Sequence, residues 1–422
     1  MFNTSMISIV KKLNIQFFFN ISIVLMPIFL ITGPFFSDLL VLVFNLIFFY
    51  LLIKKRIILK KSFYIYFYLA FLSLILVSTI FSVFNNIFVS GGYLFYFRFP
   101  IFALVTLYAL VTYPNIKYYL FWVLSFTIVI LFIDSFKEYF TGYNLLQYRR
   151  IVDNRISSLF GDEHILGKFI IFLLPLYTYL FLDNFSKIKN YFFYFFLSLA
   201  VLIVILSGER TALILTITFL TIYFIFCPSL KFYNSIFFLL VMSIFFLILI
   251  LDKEMYQRLI IESFKTINIF ADPEKFSVNL KYYLNMIYVS IDIFKENYLI
   301  GAGPKSYRLL CQNYIDIYQY ACSTHPHNLY LQLLSEVGII AFTFFISIWL
   351  LICFILLKTL FTKLFYNEKI NEKFIILISN YFLVLFPFLP SSSFFNNWHN
   401  ILYYFPLGFL LFEIIFSNRL NY

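Results

Sequence analysis

An all-α, polytopic membrane bundle is the fold class this sequence predicts, and three observations predict it. Of its 422 residues, 63% are hydrophobic and only 12% charged, too little polar surface for a soluble fold of this size to cover itself. Apolar runs of about 20 residues, the length of a helix that crosses a bilayer, recur along the whole chain. The basic residues cluster in short loops, whereas the two long loops mix basic with acidic residues. A formal charge of +11 in a soluble protein suggests nucleic acid. Here the positive-inside rule accounts for it, and no nucleic-acid partner is expected. The 62 Phe and 34 Tyr are read as lipid-facing and interfacial packing, not as a sugar platform.

About twelve spans are expected, near 15–32, 36–53, 63–83, 95–112, 117–136, 165–182, 191–207, 210–227, 234–251, 337–358, 373–391 and 399–417. Others come directly after the first apolar run, so it reads as a first span rather than a cleaved leader. Lys11 and Lys12 precede that span, and Lys54, Lys55, Arg56, Lys60 and Lys61 follow the second. Lys187 and Lys189 follow the sixth; Lys358, Lys363, Lys369 and Lys373 follow the tenth. All land on one side, which makes both termini cytoplasmic. The chain is read as a single integral membrane domain, 1–422. The opposite side holds two long loops, 137–164 and 252–336. The second far exceeds an ordinary connection, and amphipathic pieces such as 280–288 predict short helices on the membrane surface. No internal repeat marks an inverted-repeat transporter.

Chemistry concentrates where the second loop ends. Pro326 biases His325 away from helical geometry, so His325 and His327 stand at a helix start that Asn328 can cap. Asn328, Gln332 and Glu336 then recur at helical spacing among leucines, a polar stripe that must face protein or water. Helix capping and interhelical bonding account for such a stripe as well as function does. For the two imidazoles, which titrate near neutrality, the functional reading is the stronger. Arg98 opens the fourth span and either binds an anion or snorkels. Arg210, in Ser207-Gly208-Glu209-Arg210-Thr211, occupies the first turn of a helix whose open N–H groups favour an anion, unless Glu209 neutralises it. Arg258, Lys281 and Lys305 are further cationic candidates. Gly301-Ala302-Gly303-Pro304-Lys305-Ser306 lacks the spacing of a phosphate loop and reads as a tight turn. Cys311 and Cys322 share the large loop, where they can close a disulfide or, with His325 and His327, offer four zinc ligands.

These motifs, with Arg155-Ile156-Ser157-Ser158 through His164, Asn297-Tyr298-Leu299-Ile300-Gly301 and His325-Pro326-His327-Asn328 through Gly338, resemble the O-antigen ligase and polymerase family of bacterial integral membrane proteins. The similarity covers roughly residues 150–355 in motif order. It implies a bacterial inner-membrane enzyme with a periplasmic active site that moves a glycan from undecaprenyl pyrophosphate to a hydroxyl acceptor. Lipid A-core is the acceptor for a ligase and a second lipid-linked repeat for a polymerase. The partners implied are that donor, a glycolipid or lipid-linked acceptor and membrane lipids, with no metal, nucleotide sugar or other cofactor. Carried onto this chain, the base is His327 first and His325 second, and the pyrophosphate ligands are Arg210 and Lys281, the nearest fit to a second arginine expected early in the large loop; Arg98 is a further candidate from its own position. Asn328, Gln332 and Glu336 take supporting roles. The alternative outside the family is a lipid or solute transporter, which should carry ionisable groups near the bilayer midplane.

Overall fold

The computed structural model describes residues 14–54, 63–82, 95–151, 155–184, 190–227, 231–263, 278–366, 368 and 370–416. Among these the chain is helical, with an isolated β-bridge between Tyr143 and Arg149. Every expected span is met by an apolar helical segment. Among the described residues, six helices are long and apolar enough to cross a membrane: Pro34–Ile53, Phe95–Thr112, Ile116–Thr141, Leu166–Asn184, Ile339–Tyr366 and Asn397–Phe416. Four shorter apolar helices join them, Tyr64–Ile80, Asn190–Leu206, Arg210–Phe226 and Leu239–Leu251. Of the basic loop residues that set the expected orientation, Lys11, Lys12, Lys55, Arg56, Lys60, Lys61, Lys187, Lys189 and Lys369 lie outside the described residues.

Two expected spans are corrected, both at prolines. The first is two helices, Asn14–Val24 and Met26–Ile31, because Pro27 lacks the N–H that a continuous helix needs there. The eleventh is only Glu372–Val384. Pro387 and Pro390 prevent the helix from continuing, and 385–396 crosses the end of the bundle as an irregular segment.

Close backbone approach fixes the helices against one another. A Cβ on Gly408 would lie 2.5 Å from Thr106 Cβ, so the last helix presses directly on Arg98–Thr112. A Cβ on Gly167 would meet Ser207 Oγ at 2.7 Å and Ala212 Cβ at 2.8 Å. The start of Leu166–Asn184 can therefore sit against the hairpin that joins Asn190–Leu206 to Arg210–Phe226. At the other end of the same helix, Asp183 takes Lys117 Nζ at 3.0 Å and Lys373 Nζ at 2.6 Å, tying three helices.

The described residues of the region 252–336 are largely helical. Helix Val278–Glu296 packs Met286, Val289 and Ile293 against Ala302, Tyr307, Leu310, Cys311 and Ala321, a core separate from the main one. Cys311 and Cys322 form a disulfide within it, Cα–Cα 5.2 Å. Sulfurs bonded to each other have no thiolate to offer a metal, so the zinc alternative falls.

Candidate active site

The histidine turn is built as the local rules predict, with one addition. His327 itself adopts the left-handed conformation (φ 50°), which folds its ring back beside that of His325. The ring centroids are 4.3 Å apart. Asn328 is extended and caps helix Leu329–Glu336, its Oδ1 accepting from the N–H groups of Tyr330 (2.9 Å) and Leu331 (3.1 Å). Its Nδ2 donates to the carbonyl of Pro387 (2.8 Å).

That last bond leads to the segment 385–396, which brackets both histidines. The N–H of Ser391 donates to the His327 carbonyl at 2.8 Å, and the Ser391 carbonyl accepts from His325 Nε2 at 3.3 Å. A carbonyl can only accept, so His325 carries its proton on Nε2 and takes the Thr324 hydroxyl on Nδ1 (3.0 Å). Both nitrogens of His325 are thus engaged within the protein. His327 has one partner, Ser323 Oγ to Nε2 at 3.3 Å, and its Nδ1 has none among the described residues. Burial pushes His325 down to about 4, with His327 adding to the effect. His327 is lowered too, by burial and by Lys168.

Gln332 and Glu336 do not touch either imidazole. Gln332 Nε2 donates to Glu336 Oε2 (2.9 Å) and Ser393 Oγ (3.1 Å), while its Oε1 accepts from the N–H of Phe394 (2.8 Å). Glu336, fully buried, accepts from the N–H of Tyr307 (3.2 Å), and burial raises it to about 7. The polar stripe therefore clamps the 385–396 segment on one side and the Gly301–Gly303 turn on the other. Gly301 is left-handed (φ 71°), and a Cβ there would stand 2.3 Å from the Glu336 carbonyl carbon.

Beside the histidines lies a cluster of cations. Arg210 is the first residue of its helix, as expected, 3.8 Å from Glu262. Arg258 donates Nε–H to the Gly208 carbonyl (2.8 Å) and lies 4.0 Å from the same Glu262; Arg258 lies within a π-helical turn at Gln257–Ile261 and Glu262 directly follows it. Glu209 does not pair with Arg210. It is buried, accepts from the N–H of Gly167 at 2.7 Å, and faces Lys168 and Arg155 electrostatically. Lys168 Nζ reaches Ser392 Oγ at 3.3 Å, beside the histidine bracket. Arg155, whose Nε is buried without a hydrogen-bond partner among the described residues, feels Glu209, Arg210 and Tyr283. Burial and the mutual repulsion of the arginines push Arg258 down to about 10, and His164, between Arg155 and Arg258, down to about 4.

Two expected ligands stand elsewhere. Arg98 is held by Asp38 through two bonds of 2.9 Å, and Asn397 supports the same carboxylate at 3.0 Å. That pairing accounts for Arg98 without an anion. Lys281 is exposed and makes none of the contacts of the cluster; Tyr283, two residues on and about 200° around the helix, meets the His327 ring edge-on at 6.1 Å. Lys305 is pushed down to about 8, chiefly by burial and then by Arg308. Arg155, Lys168, Tyr283 and Ser391 were not predicted as site residues. A lone lysine in the first turn of an otherwise apolar span was the available signal for Lys168, and three serines after two prolines for Ser391–Ser393. A fourth histidine, His399, also lies near His325, buried and with neither ring nitrogen bonded among the described residues.

Residues 195–346 match the sequence profile of a family described as O-antigen ligase. The match spans Arg210, Arg258, both histidines, Gln332 and Glu336. The matched stretch is about a third of the chain, and it is the stretch whose motifs resemble the O-antigen ligase and polymerase family. That match and the membrane-length helices support an integral membrane enzyme of the glycosyltransferase type acting on lipid-linked glycans. Arg155, Lys168 and the 385–396 segment lie outside the matched residues, yet the fold brings all three to the same place. No curated protein matches the chain.

Proposed function

We propose that this O-antigen ligase-family protein transfers a glycan from undecaprenyl pyrophosphate to a hydroxyl of lipid A-core on the periplasmic face. The observation that carries the reading is the juxtaposition of a histidine having an open ring nitrogen with four cations, Arg155, Lys168, Arg210 and Arg258, facing two carboxylates. A sugar hydroxyl is a weak nucleophile and needs a positioned base. His327, neutral because it is buried, takes its proton on Nδ1 as the new C–O bond forms. The bond from the anomeric carbon to the pyrophosphate oxygen breaks, and the guanidinium groups receive the charge that develops on the leaving group. Cationic stabilisation suffices for such a leaving group, so the proposal uses no metal. His325 holds the neighbouring ring in place through its two engaged nitrogens. In this reading both termini are cytoplasmic and 252–336 is the periplasmic unit over the site.

The test is the surface glycolipid profile of a deletion strain complemented with wild type, His327→Ala or Arg210→Ala, membrane levels being equal. Loss of a general base lowers the rate by roughly 10²–10⁴-fold, so both variants should leave lipid A-core without long glycan. A profile of single-repeat glycolipid in the deletion strain makes the protein a polymerase. Full restoration by both variants removes the active-site assignment and returns the question to a transporter.

A further inference from the structure

Asp134 and Glu138 lie one turn apart near the end of helix Ile116–Thr141, completely or almost completely buried. At 26 residues this helix is about 39 Å long, longer than the hydrocarbon core of about 30 Å, so its last turns have room to stand clear of lipid. Neither carboxylate has an ion-pair partner among the described residues. Burying two unpaired carboxylates costs several kcal/mol each unless donors surround them. The donors here all come from the chain just after the helix. Asp134 takes the N–H of Leu145 (2.5 Å) and the Ser158 hydroxyl (2.6 Å); Glu138 takes the N–H of Ser157 (3.2 Å) and of Ser158 (2.7 Å). Asn144 Nδ2 closes the arrangement on the Ser158 carbonyl at 2.9 Å. Ser158 is held in the left-handed region at φ 54°.

What hangs from this latch is part of the cationic cluster. Arg155 is two residues before Ser157, and Ser157 Oγ meets His164 Nδ1 at 3.3 Å. We propose that Asp134 and Glu138 are positioning residues for the lipid-pyrophosphate donor: by gripping Ser157 and Ser158 they set where Arg155 stands against Glu209 and Arg210. The inference rests on the cationic cluster binding the donor pyrophosphate. A carboxylate offers only acceptors, so Glu138 can grip two adjacent N–H groups at once. An amide in its place turns an NH2 towards one of them and releases it.

The experiment uses the full-length protein in lipid nanodiscs, with the donor and acceptor KM measured separately and free undecaprenyl pyrophosphate as competitor. A misplacement near 1 Å costs up to about 100-fold. Glu138→Gln is expected to weaken the competitor and raise the donor KM by about 10- to 100-fold, with the acceptor KM unchanged. In an Arg155→Ala background Glu138→Gln should add nothing, because the residue it positions is gone. Ser158→Ala, which removes only the hydroxyl bond to Asp134, gives a second, milder reading should Glu138→Gln not fold, and should raise the donor KM alone. If Arg155→Ala weakens the donor but the latch variants do not, or if their effects multiply, the positioning role is wrong and the site survives. If Arg155→Ala itself leaves donor and competitor unchanged, the pyrophosphate reading of the cluster fails, and the inference with it.

Discussion

His325 and His327 differ by one residue between them and by what their ring nitrogens meet. His325 spends both, one on a carbonyl and one on a hydroxyl, whereas His327 keeps Nδ1 open. Their pH behaviour is set by burial. Unfolded imidazole titrates near 6.5, and His325 in the fold titrates at about 4. Below 6.5 the unfolded chain therefore binds more protons than the folded one. The contribution to stability is full above about 6.5 and is lost as pH falls through about 4. The neutral ring is also the form that accepts a proton. Transfer by the purified enzyme should therefore hold steady from about pH 8 to 6.5 and decline only at lower pH. A kcat/KM profile that loses half its value at the ordinary histidine pKa would show a base that is not buried. The residue types were legible in the sequence, but which imidazole has an open nitrogen was not. That depends on Ser391, more than sixty positions away.

At the scale of elements, the segment 385–396 matters most to the site. Its neighbours look like one span in the sequence, since Phe386, Phe388 and Leu389 continue the apolar pattern. Pro387 and Pro390 are what end the helix, and the serines after them become hydrogen-bonding partners. Gln332 is the anchor. Gln332→Ala leaves the N–H of Phe394 and a carboxylate oxygen of Glu336 buried and unanswered, at a cost of about 1–3 kcal/mol each. The expected outcome is a thermal midpoint several degrees lower and slower transfer, because the Ser391 bracket on both histidines loosens. Unchanged values of both would mean that 385–396 is held by other contacts. Helix Leu329–Glu336, its Asn328 cap and the Gly301 turn were each readable from local rules. Their joint role as a clamp needed the facing segment.

Across the whole molecule, two cores meet at the site. The main bundle supplies Arg155, Lys168 and Arg210, and the smaller core around Met286 and Tyr307 supplies Tyr283 and leads into the histidine turn. The Cys311–Cys322 disulfide belongs only to the smaller one. Its removal in a Cys311→Ser, Cys322→Ser double variant should cost about 2–4 kcal/mol, confined to that unit. Hydrogen exchange should quicken across 278–326 while the bundle helices keep their protection. A loss spread evenly over both would show that the two cores unfold as one.

The sequence by itself determined the class, the apolar segments and the identity of the histidine turn, because bilayer length, charge segregation and capping act over a few residues to a few tens. It also carried the family resemblance, through motifs that stay in order. Only the tertiary structure decided which cations gather. Arg98 is answered by Asp38 and Lys281 faces outward, while Arg155, Lys168 and Arg258 converge on Glu209 and Glu262. Electrostatic partnership depends on distance in space, and helices that cross a membrane repeatedly bring their ends together at separations along the chain that no local pattern records.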